Sequence, residues 1–199
     1  GVDARDVMHV FCEDGRLNIS TAYLRPGFAF GGSCLPKDMR ALMHIARVHD
    51  VDVPVLTGIL RSNESHLRLA VRRVLDAEAR KVALLGLSFK PETDDLRESP
   101  YVELAETLLG KGIRLRIFDP IVNPERLIGA NRRYIESRLP HLQEMLASTP
   151  EAALRGAGVA VVGTSDPHTV RALLAAPPDR VLDAFLLDSV ERANPVLGE

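Results

Sequence analysis

The chain has 199 residues, with 25 Lys and Arg against 27 Asp and Glu, so its formal net charge is −2. This near balance argues against a general nucleic-acid binder, whose basic excess would show in the sum. Hydrophobic residues make up 46% and charged residues 26%, which is typical of a globular protein. Apolar runs stay well short of the roughly 20 residues that span a membrane, and we expect no signal peptide.

The cysteine and histidine content excludes two further classes. Cys12 and Cys34 are too few for a disulfide-rich scaffold and fit a reducing compartment, so we expect a cytoplasmic protein. The histidines form no HExxH pair and CxxC is absent, so we expect no metal site. Asp94 and Asp95 could together coordinate a metal, but adjacent acids of this kind more often cap loops.

Residues 1–79 are predicted to be helical apart from one loop. A first helix runs from a cap near residue 3 to a stop at Gly15. Residues 18–32 lack helical periodicity and contain three glycines and a proline, which predicts a loop. A second helix starts near residue 33 and a third covers 55–79. The predicted buried positions of these two helices are Leu35, Met39, Leu42, Met43 and Ala46, then Leu60, Leu67, Val71, Val74 and Leu75.

From residue 80 onward, strands alternate with helices. The predicted strands cover 81–89, 113–118, 159–163 and part of 180–187. The predicted helices between them cover 99–110, 151–155 and 166–175. This alternation predicts right-handed βαβ units, and hence an α/β fold with a doubly wound parallel sheet. The domain boundary is expected near residue 80.

Residues 30–38 (FGGSCLPKD) carry the sharpest local feature. They place Cys34 in the first turn of a helix, where free amides and the helix dipole favour a negative charge such as a thiolate. Asp38 lies four residues later on the same helical face, placed to take a proton from water. Cys34 could instead be a buried cap residue and Asp38 a surface charge, and position alone leaves both open. For Cys12, core packing is favoured.

A second candidate is the polar loop that follows the first predicted strand. Ligands of doubly wound sheets bind beyond the carboxyl ends of strands, so Lys90 and Arg97 could meet phosphates. They could equally be solvated loop charges. Residues 86–90 (GLSFK) do not form GxGxxG, which argues against an NAD-binding Rossmann domain in this half of the chain. Mononucleotide or nucleotide-sugar binding stays open.

These two segments together resemble the UDP-glucose/GDP-mannose dehydrogenase family. The similar stretches are residues 23–38 (YLRPGFAFGGSCLPKD), 85–100 (LGLSFKPETDDLRESP) and 117–120 (IFDP). Residues 129–141 (GANRRYIESRLPH) resemble the GDP-mannose branch of that family. The resemblance implies a helical dimerisation segment, followed by a Rossmann-like doubly wound parallel sheet domain.

Members of this family begin with an NAD-binding domain, and a long helix with a catalytic Lys and an Asn follows it. The resemblance therefore implies that the chain corresponds to the carboxyl-terminal half. Residues 1–79 would be the central dimerisation region without its first long helix. Residues 80–199 would bind the nucleotide sugar. Because the main NAD-binding domain would be absent, we expect no turnover by this chain alone.

The family's reaction is a two-step oxidation of a sugar C6 alcohol to a carboxylate, with two NAD⁺ per turnover. An aldehyde is captured by a thiolate as a thiohemiacetal, which is oxidised to a thioester and hydrolysed. Carried over by position, Cys34 would be the nucleophile. Asp38 would assist the water or a proton transfer.

The resemblance also assigns ligand contacts. Phe28 and Gly31 would line the sugar-nucleotide pocket, and Lys90 would bind the sugar nucleotide. Lys37 and Arg97 would contact NAD.

The resemblance further implies a homodimer. Tyr23 and Arg25 would reach into the neighbouring subunit's pocket, so each site would draw on both subunits.

Several functions stay open. The leading hypothesis is oxidation of GDP-mannose to GDP-mannuronate, an alginate-type precursor, and a UDP-sugar 6-dehydrogenase is its near alternative. Residues 20–28 and 129–141 should discriminate between these two. A non-catalytic nucleotide-sugar-binding and dimerisation module is a third possibility. A redox-sensing cysteine protein ranks last because Cys34 lacks an evident resolving partner.

Overall fold

The computed structural model describes residues 4–16, 18, 20, 24, 27–90 and 92–183. The helices within these residues are α1 (Ala4–Cys12), α2 (Leu35–Val48), α3 (Pro54–Leu75), α4 (Pro100–Gly110), α5 (Gly129–Arg138), α6 (Leu142–Met145), α7 (Pro150–Leu154) and α8 (Pro167–Ala175). The strands are β1 (Lys81–Leu85), β2 (Arg114–Phe118), β3 (Val159–Val162) and β4 (Arg180–Asp183). Among the described helices, none has both the length and the apolar character needed to cross a membrane.

The four strands form one parallel sheet in the order β2-β1-β3-β4. From β1 the chain passes through α4 to β2 on one side, and it then returns to place β3 on the other side of β1. The strand order therefore reverses between β1 and β3, and the carboxyl ends of strands at such a point form a crevice that suits a ligand. The predicted α/β fold with a parallel sheet is confirmed.

Helices cover both faces of the sheet. Along β1, Val82 and Leu84 belong to a core shared with α3 and α4. Ala83 and Leu85 belong to a second core shared with α7 and α8. This alternation follows from the two-residue period of a strand, and it explains why β1 is apolar throughout.

The first strand is shorter than the predicted 81–89, since β1 ends at Leu85. Gly86 has a φ of 99°, a backbone conformation that favours glycine, and it turns the chain out of the sheet. Leu87 has no solvent exposure even though it lies in the loop that follows. The apolar run thus continues beyond the strand because the loop itself packs into the core.

The predicted helices lie where expected, but some of their buried positions and one helix end differ from the prediction. In α2, Met39 and Ala46 are buried as predicted, whereas Leu35 and Leu42 are 49% and 48% exposed. The buried stripe of α2 is narrow because, in the part of the chain described, this helix packs chiefly on α3. The third helix ends at Leu75 rather than at residue 79. Helices α5 and α6 were not predicted as elements.

Candidate functional site

Cys34 lies at the start of α2, as predicted. It is the N-cap residue of that helix, and its thiol is exposed, with Sγ 3.9 Å from the hydroxyl of Ser33. The interpretation of Cys34 as a buried cap residue is therefore wrong. The sulfur thus lies at a helix N-terminus and is accessible from solvent.

Asp38 and Lys37 lie in the first turn of α2 beside Cys34. Both side chains are about two-thirds exposed, and the Lys37 ammonium lies 3.2 Å from the Asp38 carboxylate. The Asp38 amide donates to the Cys34 carbonyl oxygen at 2.9 Å, which is the first helical hydrogen bond of this turn. Both residues thus face solvent next to the thiol.

The segment that leads to Cys34 is held by an asparagine that the sequence analysis missed. Asn63 of α3 accepts a hydrogen bond from the Phe30 amide at 2.8 Å and donates one to the Phe30 carbonyl oxygen at 2.9 Å. The available signal was a polar residue at 63 between Leu60 and Leu67, on the buried stripe of a long helix. A polar residue there needs a partner, and the loop backbone supplies it.

The cysteine segment and the loop after β1 are in direct contact. The Gly32 amide donates to the Glu98 carbonyl oxygen at 3.2 Å. A Cβ atom on Gly31 would lie 2.2 Å from that same oxygen, and one on Gly32 would lie 2.7 Å from the Phe89 ring. Glycines are therefore required for this approach, which brings the two predicted motifs together.

An ion pair joins α2 to the same loop. The guanidinium of Arg40 donates to both carboxylate oxygens of Glu98, at 2.8 and 2.6 Å. This bidentate geometry is the strong form of such a pair. It fixes the orientation of α2, and so of Cys34, relative to the loop.

Arg97 is oriented by Asp95. Its Nε and one terminal nitrogen donate to the Asp95 carboxylate at 2.9 and 2.8 Å. The hydrogen bond from Arg97 holds the pKa of Asp95 below its usual range, and the Ser33 hydroxyl adds to this effect. Arg97 also lies close enough to Cys34 for the two side chains to interact electrostatically. Arg97 is therefore a cation in the neighbourhood of the thiol.

The acidic pair 94–95 was one candidate for binding a metal. The Asp95 carboxylate is committed to Arg97. Over residues 4–16, 18, 20, 24, 27–90 and 92–183, no group of three His, Cys, Asp or Glu side chains could hold a metal ion.

Lys90 lies in the loop that follows β1, five residues after the strand ends. Its side chain is exposed, with the ammonium 5.5 Å from the centre of the Phe89 ring. The Ser88 hydroxyl donates to the Lys90 carbonyl oxygen at 3.0 Å. The backbone at Lys90 is thus tied to the turn, while its ammonium is available to a ligand.

Asp119, at the end of β2, shapes the turn that precedes Lys90. One carboxylate oxygen accepts from the Leu87 and Ser88 amides at 2.7 and 3.2 Å. The other accepts from the Ile121 and Val122 amides at 2.9 and 3.0 Å. From the sequence, Asp119 was noted only as part of the family-like stretch 117–120, although a carboxylate at the switch-point edge is a recognisable signal.

The crevice at the strand reversal contains a cavity of about 230 Å³. Ser88 and Asp119 line it from the β1 and β2 side, and residues 163–167 line it from the end of β3. The sheet edge therefore offers a concave surface beside the turn that carries Lys90.

Phe28 is partly incorporated into the core. Its ring lies 5.2 Å from that of Tyr101 and 5.7 Å from that of His66, measured between centroids.

Tyr23 and Arg25, expected to reach a second subunit, lie outside the described residues.

Comparison with known proteins relates this arrangement to one family. Residues 1–65 match the central domain of the UDP-glucose/GDP-mannose dehydrogenase family, and residues 83–188 match its UDP binding domain. GDP-mannose 6-dehydrogenase of Pseudomonas syringae pv. syringae is 52% identical over 185 residues, which are 92% of this chain and 42% of that protein. The chain thus spans about two fifths of the length of this curated relative.

Two further proteins show the range of similarity. UDP-glucose 6-dehydrogenase of Pseudomonas aeruginosa is 37% identical over 169 residues, or 82% of this chain and 36% of that protein. A crystal structure of a ternary complex of GDP-mannose dehydrogenase from Pseudomonas aeruginosa superimposes with a TM-score of 0.74 at 47% identity, covering 94% of this chain and 44% of that one. The chain therefore belongs to the UDP-glucose/GDP-mannose dehydrogenase family.

Proposed function

We propose that this chain forms the nucleotide-sugar-binding and thiol-bearing part of an NAD-dependent GDP-mannose 6-dehydrogenase. The observation that carries the proposal is the contact between the Cys34 segment and the loop after β1, through Gly32 and Glu98. This contact places an exposed thiol and the cation Arg97 on one surface. A thiol that must hold an acyl group next to an anionic substrate requires such a surface.

In the proposed reaction, the Cys34 thiolate attacks the aldehyde carbon formed from the C6 alcohol and gives a thiohemiacetal. Loss of hydride from that carbon, with the hydroxyl proton passing to solvent, leaves a thioester on Sγ. Water then displaces the sulfur, which yields the carboxylate and regenerates the thiol, with Asp38 accepting the proton from the water. Each of the two oxidations delivers a hydride to NAD⁺, which is the chemistry that the bound cofactor supplies.

Lys37 and Arg97 are the residues proposed to contact NAD from this chain. Both are cationic, at least two-fifths exposed and placed beside Cys34, which suits the diphosphate of a dinucleotide. On the substrate side, Lys90 would bind the sugar nucleotide, and Phe28 and Gly31 would line its pocket.

Preference for GDP-mannose over UDP-sugars is supported by two observations. Identity to the named GDP-mannose 6-dehydrogenase is 52%, against 37% to the named UDP-glucose 6-dehydrogenase. Residues 129–141, which resemble the GDP-mannose branch, include helix α5, and α5 contacts the loop that carries Arg97. A UDP-sugar 6-dehydrogenase of the same mechanism is the alternative.

We further propose that the protein acts as a homodimer in the cytoplasm, with residues 1–79 as the dimerisation region and 80–199 as the nucleotide-sugar domain. Exposed apolar side chains on the first three helices support an assembly role for that region. They include Val10, Phe11, Ile45, Val48 and Val55. Tyr23 and Arg25 would then reach the neighbouring subunit's site.

Calorimetric titration of the chain with GDP-mannose and with UDP-glucose tests the proposal. We expect GDP-mannose to bind more tightly, and Lys90→Ala to weaken that binding about tenfold because one charge-assisted contact to the substrate is lost. Lys111→Ala, an exposed lysine at the far end of α4, is the matched control and should bind like the wild type.

Two outcomes would count against the proposal. UDP-glucose binding that equals or exceeds GDP-mannose binding would favour the UDP-sugar alternative. Equal affinities in the wild type and in Lys90→Ala would remove Lys90 from the substrate site.

A further inference from the structure

Helix α5 contacts the loop after β1 through polar side chains. Asn131 accepts a hydrogen bond from the Leu96 amide at 2.9 Å and donates one to the Asp94 carbonyl oxygen at 2.8 Å. One turn later, Tyr134 lies near the main chain of Glu98. Residues 131 and 134 share one helical face, and this face lies along the loop from residue 94 to residue 98.

The two hydrogen bonds of Asn131 bracket Asp95. Asp95 in turn accepts from the Arg97 backbone amide and from two nitrogens of its side chain. The position of the Arg97 guanidinium therefore depends on a short chain of hydrogen bonds that begins at Asn131. It ends beside the Cys34 segment, because the Gly32 amide donates at 3.2 Å to the carbonyl oxygen of Glu98, the residue that follows Arg97. The negative charge of a Cys34 thiolate would raise the pKa of Arg97.

Core packing does not account for the placement of Asn131. Ile135 is the only buried residue of α5 within its described range, and exposed Arg132 and Glu136 form an ion pair on the solvent side. Asn131 itself is partly buried, and both the oxygen and the nitrogen of its side-chain amide form hydrogen bonds with the loop. The side chain thus contributes matched hydrogen bonds to one loop rather than apolar contacts to the core.

From this geometry we propose that Asn131 is a positioning residue for the thiol. It holds the 94–96 backbone so that the Asp95 carboxylate keeps the Arg97 guanidinium near Cys34. The inference rests on the proposed role of Cys34 as the reacting group. It adds a residue outside both motifs, 34 positions after Arg97, to the group that sets the charge environment of that thiol.

Alkylation of Cys34 by two reagents of different charge tests this proposal. Iodoacetate is anionic and iodoacetamide is neutral, so the ratio of their second-order rate constants at Cys34 reports a nearby cation and cancels changes in thiol accessibility. Peptide mass spectrometry separates Cys34 from Cys12. We expect Asn131→Ala to lower the ratio about two- to fivefold, toward the value of Arg97→Ala, because one partly exposed charge is displaced.

Two further variants make the result specific. Asn131→Gln carries the same amide one methylene further out and should restore part of the ratio. Asn123→Ala, which removes a local hydrogen bond to the Glu125 amide, should leave the ratio unchanged. Thermal unfolding of each variant checks that the fold is retained. If Asn131→Ala does not fold, the Gln variant decides, since the proposal requires its ratio to lie below that of the wild type.

The proposal is overturned if Asn131→Ala keeps the wild-type ratio while Arg97→Ala lowers it. It is also overturned if Arg97→Ala leaves the ratio unchanged, because Arg97 would then exert no effect at the thiol. Neither reagent requires nucleotide sugar or NAD. Failure here is therefore distinguishable from failure of the proposed function, which the calorimetric titration measures.

Discussion

At the scale of single residues, the site depends on a position that has no side chain. Gly31 brings the cysteine segment so close to the Glu98 carbonyl oxygen that a Cβ atom there would lie 2.2 Å from it. The clash is with backbone, which a rotamer change cannot relieve. Any larger residue at 31 must therefore separate the cysteine segment from the loop.

Gly31→Ala is expected to lower the free energy of unfolding by about 1–3 kcal/mol because the loop and the cysteine segment must move apart. Chemical denaturation measures the loss. Gly27→Ala is the matched control, since a Cβ atom at Gly27 meets nothing within 4 Å. Equal stability of the two variants would mean that the close contact at Gly31 does not exist in solution.

Asp95 gives the site a predictable response to acid. Its pKa is held below the usual range, chiefly by the hydrogen bond from Arg97. The pair therefore stabilises the folded state above the unfolded pKa of about 4, and this contribution is lost as the pH falls through the lower folded pKa.

We expect Asp95→Asn to be less stable than the wild type at pH 7, by about 1 kcal/mol or less because the pair is partly exposed. The difference should shrink as the pH is lowered below about 4. Denaturation at a series of pH values measures it, with Asp94→Asn as the neighbouring control. A difference that grows toward low pH would contradict the assigned direction of the shift.

At the scale of elements, α3 supports the site through one side chain. Asn63 lies on the stripe of α3 that faces the rest of the protein, and its amide satisfies both backbone groups of Phe30. This pairing links the long helix to the segment before Cys34 across 33 positions of sequence.

Asn63→Ala should destabilise the protein by about 1–2 kcal/mol, since two partly buried backbone groups of Phe30 lose their partner. Asn63→Asp keeps an acceptor for the Phe30 amide but loses the donor, so its stability should lie between those of the wild type and Asn63→Ala. Thermal or chemical unfolding measures both variants. An alanine variant as stable as the wild type would show that water replaces the side chain without cost.

An element could be predicted from the sequence when its buried side chains form a recognisable apolar pattern. β1 and β3 are buried on both faces, so their continuous apolar runs were recognised. Helix α5 was not recognised as an element because Ile135 is its only buried residue in the described range, which leaves no apolar periodicity to detect. The end of β1 was missed because Leu87 stays buried after Gly86 has turned the chain.

The position of Cys34 at a helix start was predictable from the sequence, but the residues that hold its segment and the neighbouring loop were not. Cys34, with its helix start and preceding glycines, could be recognised from local sequence. The position of Asn63 on a buried stripe signals a need for partners, but neither its partners nor those of Asn131 could be identified, because they are backbone groups 33 to 37 positions away. Local sequence does not determine such long-range pairings.

At the scale of the whole molecule, the parallel sheet and the helical region contribute to one surface. The sheet supplies the turn of Lys90 and the loop of Arg97 beyond the carboxyl end of β1. The helical region supplies Cys34 at the start of α2, and the Arg40–Glu98 pair joins the two. We propose that this shared surface binds a nucleotide sugar against the thiol.

Protection of Cys34 by ligand tests that claim most directly. The rate of carboxamidomethylation is measured at Cys34 and at Cys12 by peptide mass spectrometry, without ligand, with GDP-mannose and with UDP-glucose. We predict that GDP-mannose slows labelling of Cys34 by several-fold and leaves Cys12 unaffected, with a smaller effect of UDP-glucose. Labelling of Cys34 at an unchanged rate, under conditions where calorimetry shows GDP-mannose bound, would show that the bound nucleotide sugar does not lie against the thiol.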